Sequence, residues 1–146
     1  MTGTYIKYAL YSTGKLSGMA TIETRKVIGG KEYNSITEWA ALGSEDNKSS
    51  EMTVTIDGNL AEVIKRDANG EMINWRKYEE DGSLIFNDTT EYSNSGERTK
   101  LSRYNDENDL MWYILYCYDE NGKKAGEEIY NADGALRGST LAEQLT

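Results

Sequence analysis

The chain has 146 residues, with 25 acidic and 16 basic side chains giving a formal charge of −9, and apolar residues make up 38% of it. That length fits one domain able to bury roughly two-thirds of its extended surface, and 11 Tyr and 3 Trp supply core volume that the scarce aliphatics do not. The acidity repels phosphate backbones and anionic membranes, so nucleic acid is not an expected partner. The acidity serves plain solubility, the meeting of a basic protein or the mimicry of DNA.

Two absences narrow the chemistry further. With no His, Ser–His and Cys–His nucleophile pairs and His-ligated zinc are excluded. With no Pro, a chain that turns often must rely on Gly, Asn and Asp. A single Cys precludes an internal disulfide. The opening MTGTYIKYALYS holds no long apolar run, so neither a leader nor a membrane span is expected. A cytoplasmic location is the expectation; an exported protein whose leader has been removed would read the same way.

Residues 4–12 read as an aromatic and β-branched strand, turned by Ser12-Thr13-Gly14-Lys15. Residues 16–28 alternate in the manner of a second strand, and Gly29-Gly30 is a two-residue hairpin signal because both central positions want positive φ. Residues 31–42 should pair back onto that strand. Ser35 with Glu38 has capping-box spacing and Glu-Trp-Ala-Ala-Leu has good helix propensity, so a helix over 35–42 competes there. A polar loop, GSEDNKSS (43–50), separates an irregular front half from the rest of a single domain. In EMTVTID (51–57), Met52, Val54 and Ile56 face one way and Thr53 and Thr55 the other, with Asp57-Gly58 closing the strand.

Residues 66–143 are three copies of a 26-residue unit. Gly70, Gly96 and Gly122 share one position, Tyr78, Tyr104 and Tyr130 another, and Leu84, Leu110 and Leu136 a third. Gly82, Asn108 and Gly134 mark a second turn in each copy, so turn centres at 70, 82, 96, 108, 122 and 134 are spaced 12, 14, 12, 14 and 12 apart. One strand of about eight residues plus a turn accounts for each interval. Tyr78, Tyr92, Tyr104, Tyr118 and Tyr130 each stand four residues before a turn centre. Because both intervals are even, these tyrosines return to one sheet face provided that no turn or bulge alters the parity.

LMWYILYCY (110–118) is apolar on both faces and is expected to be the most buried strand, covered by the front half, by barrel closure or by a partner. KKAGEEIY (123–130) reads as an edge or solvent-facing strand, and STLAEQLT (139–146) as ending in a short helical turn. The fold class is therefore all-β: an antiparallel meander of about nine or ten strands in a strongly curved sheet, open as a half-barrel or closed as a barrel.

Candidate chemistry is sparse. Glu79-Glu80-Asp81, Asp106-Glu107 and Glu127-Glu128 pair carboxylates, but on turns or a polar strand, where solvation is the simpler account. Asn105–Asp109 clusters oxygen donors without the Gly and distant Glu of a calcium loop, so neither metal nor cofactor is expected. Cys117, between two tyrosines, reads as a small buried hydrophobe. Aromatic side chains are the remaining candidates: Trp75, Tyr78, Tyr104, Trp112 and Tyr130 for ligand or partner binding, with Trp75 the best single one, since Asn74, Arg76 and Lys77 around it are polar.

The run Tyr118-Asp119-Glu120-Asn121-Gly122, followed twelve residues later by Tyr130-Asn131-Ala132-Asp133-Gly134, resembles bacterial YD-repeat and MORN-like hairpin proteins. That resemblance implies β-hairpins stacked into a sheet, in roles that include immunity or antitoxin proteins, cell-surface binding proteins and lipoproteins. The front half is similar to curved half-barrel carriers. Three functions follow as expectations: an immunity- or inhibitor-like protein that binds another protein, basic in character; a carrier of a small apolar ligand; and a small β-barrel cyclase working without His. The apolar 110–118 strand also offers a route to an oligomer.

Overall fold

A computed structural model describes residues 3–10, 18–43 and 46–141, with side chains described from residue 21 onward. Eleven strands are present and no helix is seen among the described residues: β1 (Gly3–Leu10), β2 (Gly18–Ile28), β3 (Lys31–Ala41), β4 (Ser50–Ile56), β5 (Asn59–Arg66), β6 (Met72–Tyr78), β7 (Leu84–Tyr92), β8 (Arg98–Tyr104), β9 (Leu110–Tyr118), β10 (Lys124–Asn131) and β11 (Leu136–Ser139). The all-β antiparallel meander is thus the fold. The expected turn at residues 12–15 and the helical turn after residue 141 lie outside the described residues.

The chain divides into two compact units, Met1–Ile85 and Phe86–Thr146. In the first, β1 through β6 pair antiparallel in chain order. In the second, β7 through β11 do the same. Within each unit the strand order is linear, and the strands do not close into a barrel.

Residues 31–41 form a strand, not a helix, because the Gly29-Gly30 hairpin dominates local propensity. Gly29 and Gly30 have φ of 58° and 79°, and the pairing runs without a break from Ile28↔Lys31 to Met19↔Ala40. Asp57-Gly58 closes the next hairpin in the same positive-φ geometry (51° and 81°). The six turns that start at residues 67, 79, 93, 105, 119 and 131 share one different design. In each, the residue at the turn's start accepts the N–H three positions on and donates to the carbonyl four positions on, as at Asp67 with Gly70 and Glu71, and at Asn105 with Asn108 and Asp109. Asn108 takes φ of 65° where its equivalents are Gly, which an Asn side chain tolerates better than most. Asp67, Asn105 and Asp119 each accept two further backbone N–H groups through Oδ1, so the oxygen-rich turn at 105–109 is spent on its own backbone.

These turns carry one consequence for the tyrosines. The three-residue loops at 67–71, 93–97, 105–109, 119–123 and 131–135 each bring a register shift, as at Arg103/Tyr104 and Lys124/Gly126, and the extra residue flips side-chain parity. Tyr104 and Tyr130 therefore lie on one face of the second unit, while Tyr92 and Tyr118 lie on the other. The single-face arrangement is lost, and parity returns only after two turns, which is why the sequence repeats every 26 residues.

The strand β9 is not the most buried element. All its residues are half-buried except Met111, which is 50% exposed; the buried apolar side chain among the described residues is Val63 of β5. The cover for β9 comes from basic side chains on neighbouring strands. Arg103 lies over Trp112 at 4.7 Å, Arg98 and Lys124 over Tyr116 at 4.9 and 5.2 Å, and Lys100 over Tyr113 at 4.7 Å. Such side chains lay their methylene stems on apolar surface and keep their charge wet, so one sheet layer gains a thin second layer of its own making. Residues 124–131 form no edge either: β10 is bonded to β9 and to β11, whose four residues take the outer position. Gly126, buried in β10, lets the chain at Thr140 and Leu141 pass at 2.8–3.0 Å from where a Cβ would stand.

Candidate binding face

The register of the first unit sets one apolar row across four strands. Trp39 pairs with Met52, Met52 with Ile64, and Ile64 with Trp75. Paired residues share a face, so the alternations of β3, β4 and β5 converge on it: Tyr33, Thr37 and Trp39, then Met52, Val54 and Ile56, then Ile64. Ile22 joins the face through Thr37. On a sheet with a packed second layer these side chains would be sealed, yet Ile22, Trp39 and Ile56 are 39%, 40% and 40% exposed.

The five sequence candidates fall at different places. Trp75 ends the apolar row and is half-buried. Tyr78 lines a groove of about 230 Å³ with Tyr33, Ile56, Leu60, Glu79 and Glu80. In the second unit, Tyr104 is half-buried and pairs with Asn87 and Leu110. Trp112 is half-buried beneath Arg103, and Tyr130 stacks on Tyr113 at 5.1 Å with its hydroxyl donating to Glu128 at 2.9 Å. Trp75 and Tyr78 share a unit; Trp112 and Tyr130 lie on opposite faces of theirs, because Tyr130 pairs with Tyr113 and not with Trp112.

No family model, curated protein or solved structure matches this chain.

Three features were not visible in the sequence as sites. Trp39 is the exposed indole, hidden in a stretch with helix propensity. Asp88 and Arg103 form a bidentate pair at 2.7 and 2.8 Å, with the Arg103 guanidinium between Phe86 and Trp112 at 4.5 and 4.7 Å. Only 7% of the Asp88 side chain is exposed, and the hydrogen bond to it raises the pKa of Arg103 against the opposing effect of burial. Cys117 is half-buried, and its Sγ lies 3.4 Å from the same Glu128 carboxylate that Tyr130 reaches through the other oxygen. The hydrogen bond to Glu128 raises the Tyr130 pKa first, with desolvation adding to it. A carboxylate that accepts from a phenol stabilises its protonated form.

Two other hollows are open grooves: about 350 Å³ beside Trp112, Ile129 and Arg137, and about 260 Å³ beside Trp39, Leu42 and Glu51. No helix among the described residues is long and apolar enough to cross a membrane. The backbone of β9 is bonded on both edges by β8 and β10, so any association through it has to use its faces.

Proposed function

We propose that this chain is a non-enzymatic protein-binding protein, immunity- or inhibitor-like in manner, and that the apolar face of β2–β6 receives the partner. The carrying observation is that Ile22, Trp39 and Ile56 stand about two-fifths exposed on one face, in and beside a row of Met52, Ile64 and Trp75. Exposed aromatic and aliphatic residues grouped on one surface are the usual centre of a protein interface, and the chain's net charge of −9 favours a basic partner by steering its approach. The repeated hairpins, which resemble YD-repeat and MORN-like proteins, supply a rigid frame under this reading. No cofactor takes part in it.

The test is affinity capture with the chain as bait in its source cells, run beside a Trp39→Asp bait of equal thermal stability. The proposal expects a protein retained near stoichiometry by the first bait and lost from the second. Equal retention by both baits, or a small apolar molecule found on the purified chain by native mass spectrometry, contradicts it.

A further inference from the structure

From the groove formed by β3, β4, β5 and the end of β6, we infer a socket for a single arginine or lysine side chain of the partner, with Lys31 the chain's own cation beside two of its lining residues, Tyr33 and Glu80. This rests on the protein-binding reading above and names the chemistry of one contact in it. The groove is lined by the apolar residues Ile56, Leu60 and Ala61, by Tyr33 and Tyr78, and by Glu79 and Glu80. Asp57 lies there too, but its Oδ1 accepts the Asn34 N–H at 2.8 Å and serves the hairpin. At about 230 Å³ the groove falls below the roughly 300–1,000 Å³ typical of small-molecule sites. One long side chain fits it better than a metabolite does.

The chemistry matches a cation on an apolar stem. A lysine or arginine would lay its methylenes on the aliphatic lining, set its charge by a phenol and end at the carboxylates. The molecule already makes part of this arrangement internally. Lys31 Nζ lies 5.0 Å from the Tyr33 ring centroid and 3.9 Å from Glu80 Oε1. The side chains of that pair are 57% and 80% exposed, so the contact is weak and a competitor displaces it at little cost. Tyr33 and Ile56 also lie on the face that carries Trp39, so two of the groove's lining residues border the proposed interface. Arginine is the better occupant, because its planar guanidinium both stacks on a phenol and forks onto a carboxylate.

The probe is a capped Gly-Arg-Gly peptide, with capped Gly-Lys-Gly and Gly-Glu-Gly beside it, titrated into the full chain and followed by backbone amide NMR. The inference expects shifts concentrated at Tyr33, Asn59, Leu60, Tyr78 and Glu80, stronger for Arg than for Lys and absent for Glu. Glu80→Gln should weaken Arg-peptide binding about two- to fivefold, the range of one exposed ion pair. Lys31→Gln should tighten it by a similar factor. Shifts spread evenly over the acidic turns at 105–109 and 119–123, or affinity unmoved by Lys31→Gln, overturn the socket. If the peptide behaves as expected but no protein is captured through Trp39, the socket stands and the protein-binding reading fails. If capture depends on Trp39 but neither Glu80→Gln nor Lys31→Gln alters peptide binding, the socket alone fails.

Discussion

Replacing Arg103 with Met should be among the most damaging single changes in the second unit. Methionine keeps most of the apolar stem between Phe86 and Trp112 but removes both hydrogen bonds and the charge facing Asp88. Asp88 is 6% exposed, so solvent cannot replace the lost guanidinium. Breaking a buried pair from one side costs about 3–5 kcal/mol. The lower end applies, since a third of the Arg103 side chain is exposed. Loss of the two ring contacts adds about 0.5–1 kcal/mol each, partly recovered by sulfur–ring contacts of the new Met. A net loss of about 3 kcal/mol lowers the midpoint of a chain this size by roughly 6–12 °C. The assay is thermal unfolding followed by 19F NMR of 5-fluorotryptophan, because Trp112 reports on the second unit while Trp39 and Trp75 report on the first. Asp88→Asn and the double variant complete a cycle whose coupling should exceed about 1.5 kcal/mol, the scale of a charge-assisted bidentate bond. A Trp112 midpoint within a degree of wild type, or a coupling near zero, refutes this account of the pair.

Other outcomes follow from the same geometry. Gly126→Ala places a Cβ 2.8 Å from the Thr140 carbonyl oxygen; it should cost about 1–3 kcal/mol as an overpacking strain, read as faster hydrogen exchange at the Thr140 N–H that bonds Glu127. Asp57→Gly should lose only the acceptor for Asn34, about 0.5–1.5 kcal/mol, whereas Asp57→Ala should lose about 1–2 kcal/mol more because Ala must hold positive φ; equal urea midpoints for the two variants contradict the turn assignment. Burial raises the Tyr116 pKa, with Arg98 opposing it. The unfolded phenol therefore ionises first, at about pH 10, and the stability tied to this group is whole below that pH and falls as pH rises through the folded pKa. Tyr116→Phe should flatten the alkaline decline in urea midpoint between pH 9 and 11, and an unchanged decline would remove Tyr116 as its source.

What the sequence made legible was whatever backbone geometry writes into residue type. Turns that need positive φ select Gly or Asn, so Gly70, Gly82, Gly96, Asn108, Gly122 and Gly134 announced the hairpins, and Gly29-Gly30 correctly outweighed the helix propensity of residues 35–42. Bulges leave no such mark. The extra residue at each turn could not be placed in advance, so the alternation of Tyr104 and Tyr130 against Tyr92 and Tyr118 was hidden. The doubly apolar pattern of β9 suggested an outside cover, because composition does not show that Arg98, Lys100, Arg103 and Lys124 will lie on its rings. Trp75 drew notice through its polar neighbours in the chain. Its neighbours in the sheet, Ile64 across the ladder and the half-buried β6 around it, are cross-strand contacts that only register reveals. Trp39 was passed over for the converse reason, sitting in an apolar stretch that the sheet then exposes.

The proposed interface is most directly probed by site-specific photocrosslinking in the source cells. A benzophenone amino acid at position 39 samples the apolar face of the first unit, and the same group at Met111 of the second, 50% exposed, serves as the comparison. The account predicts one dominant protein adduct from position 39, suppressed by Ile56→Asp, and little from position 111. No adduct at 39, or the same adducts from both positions, would contradict it.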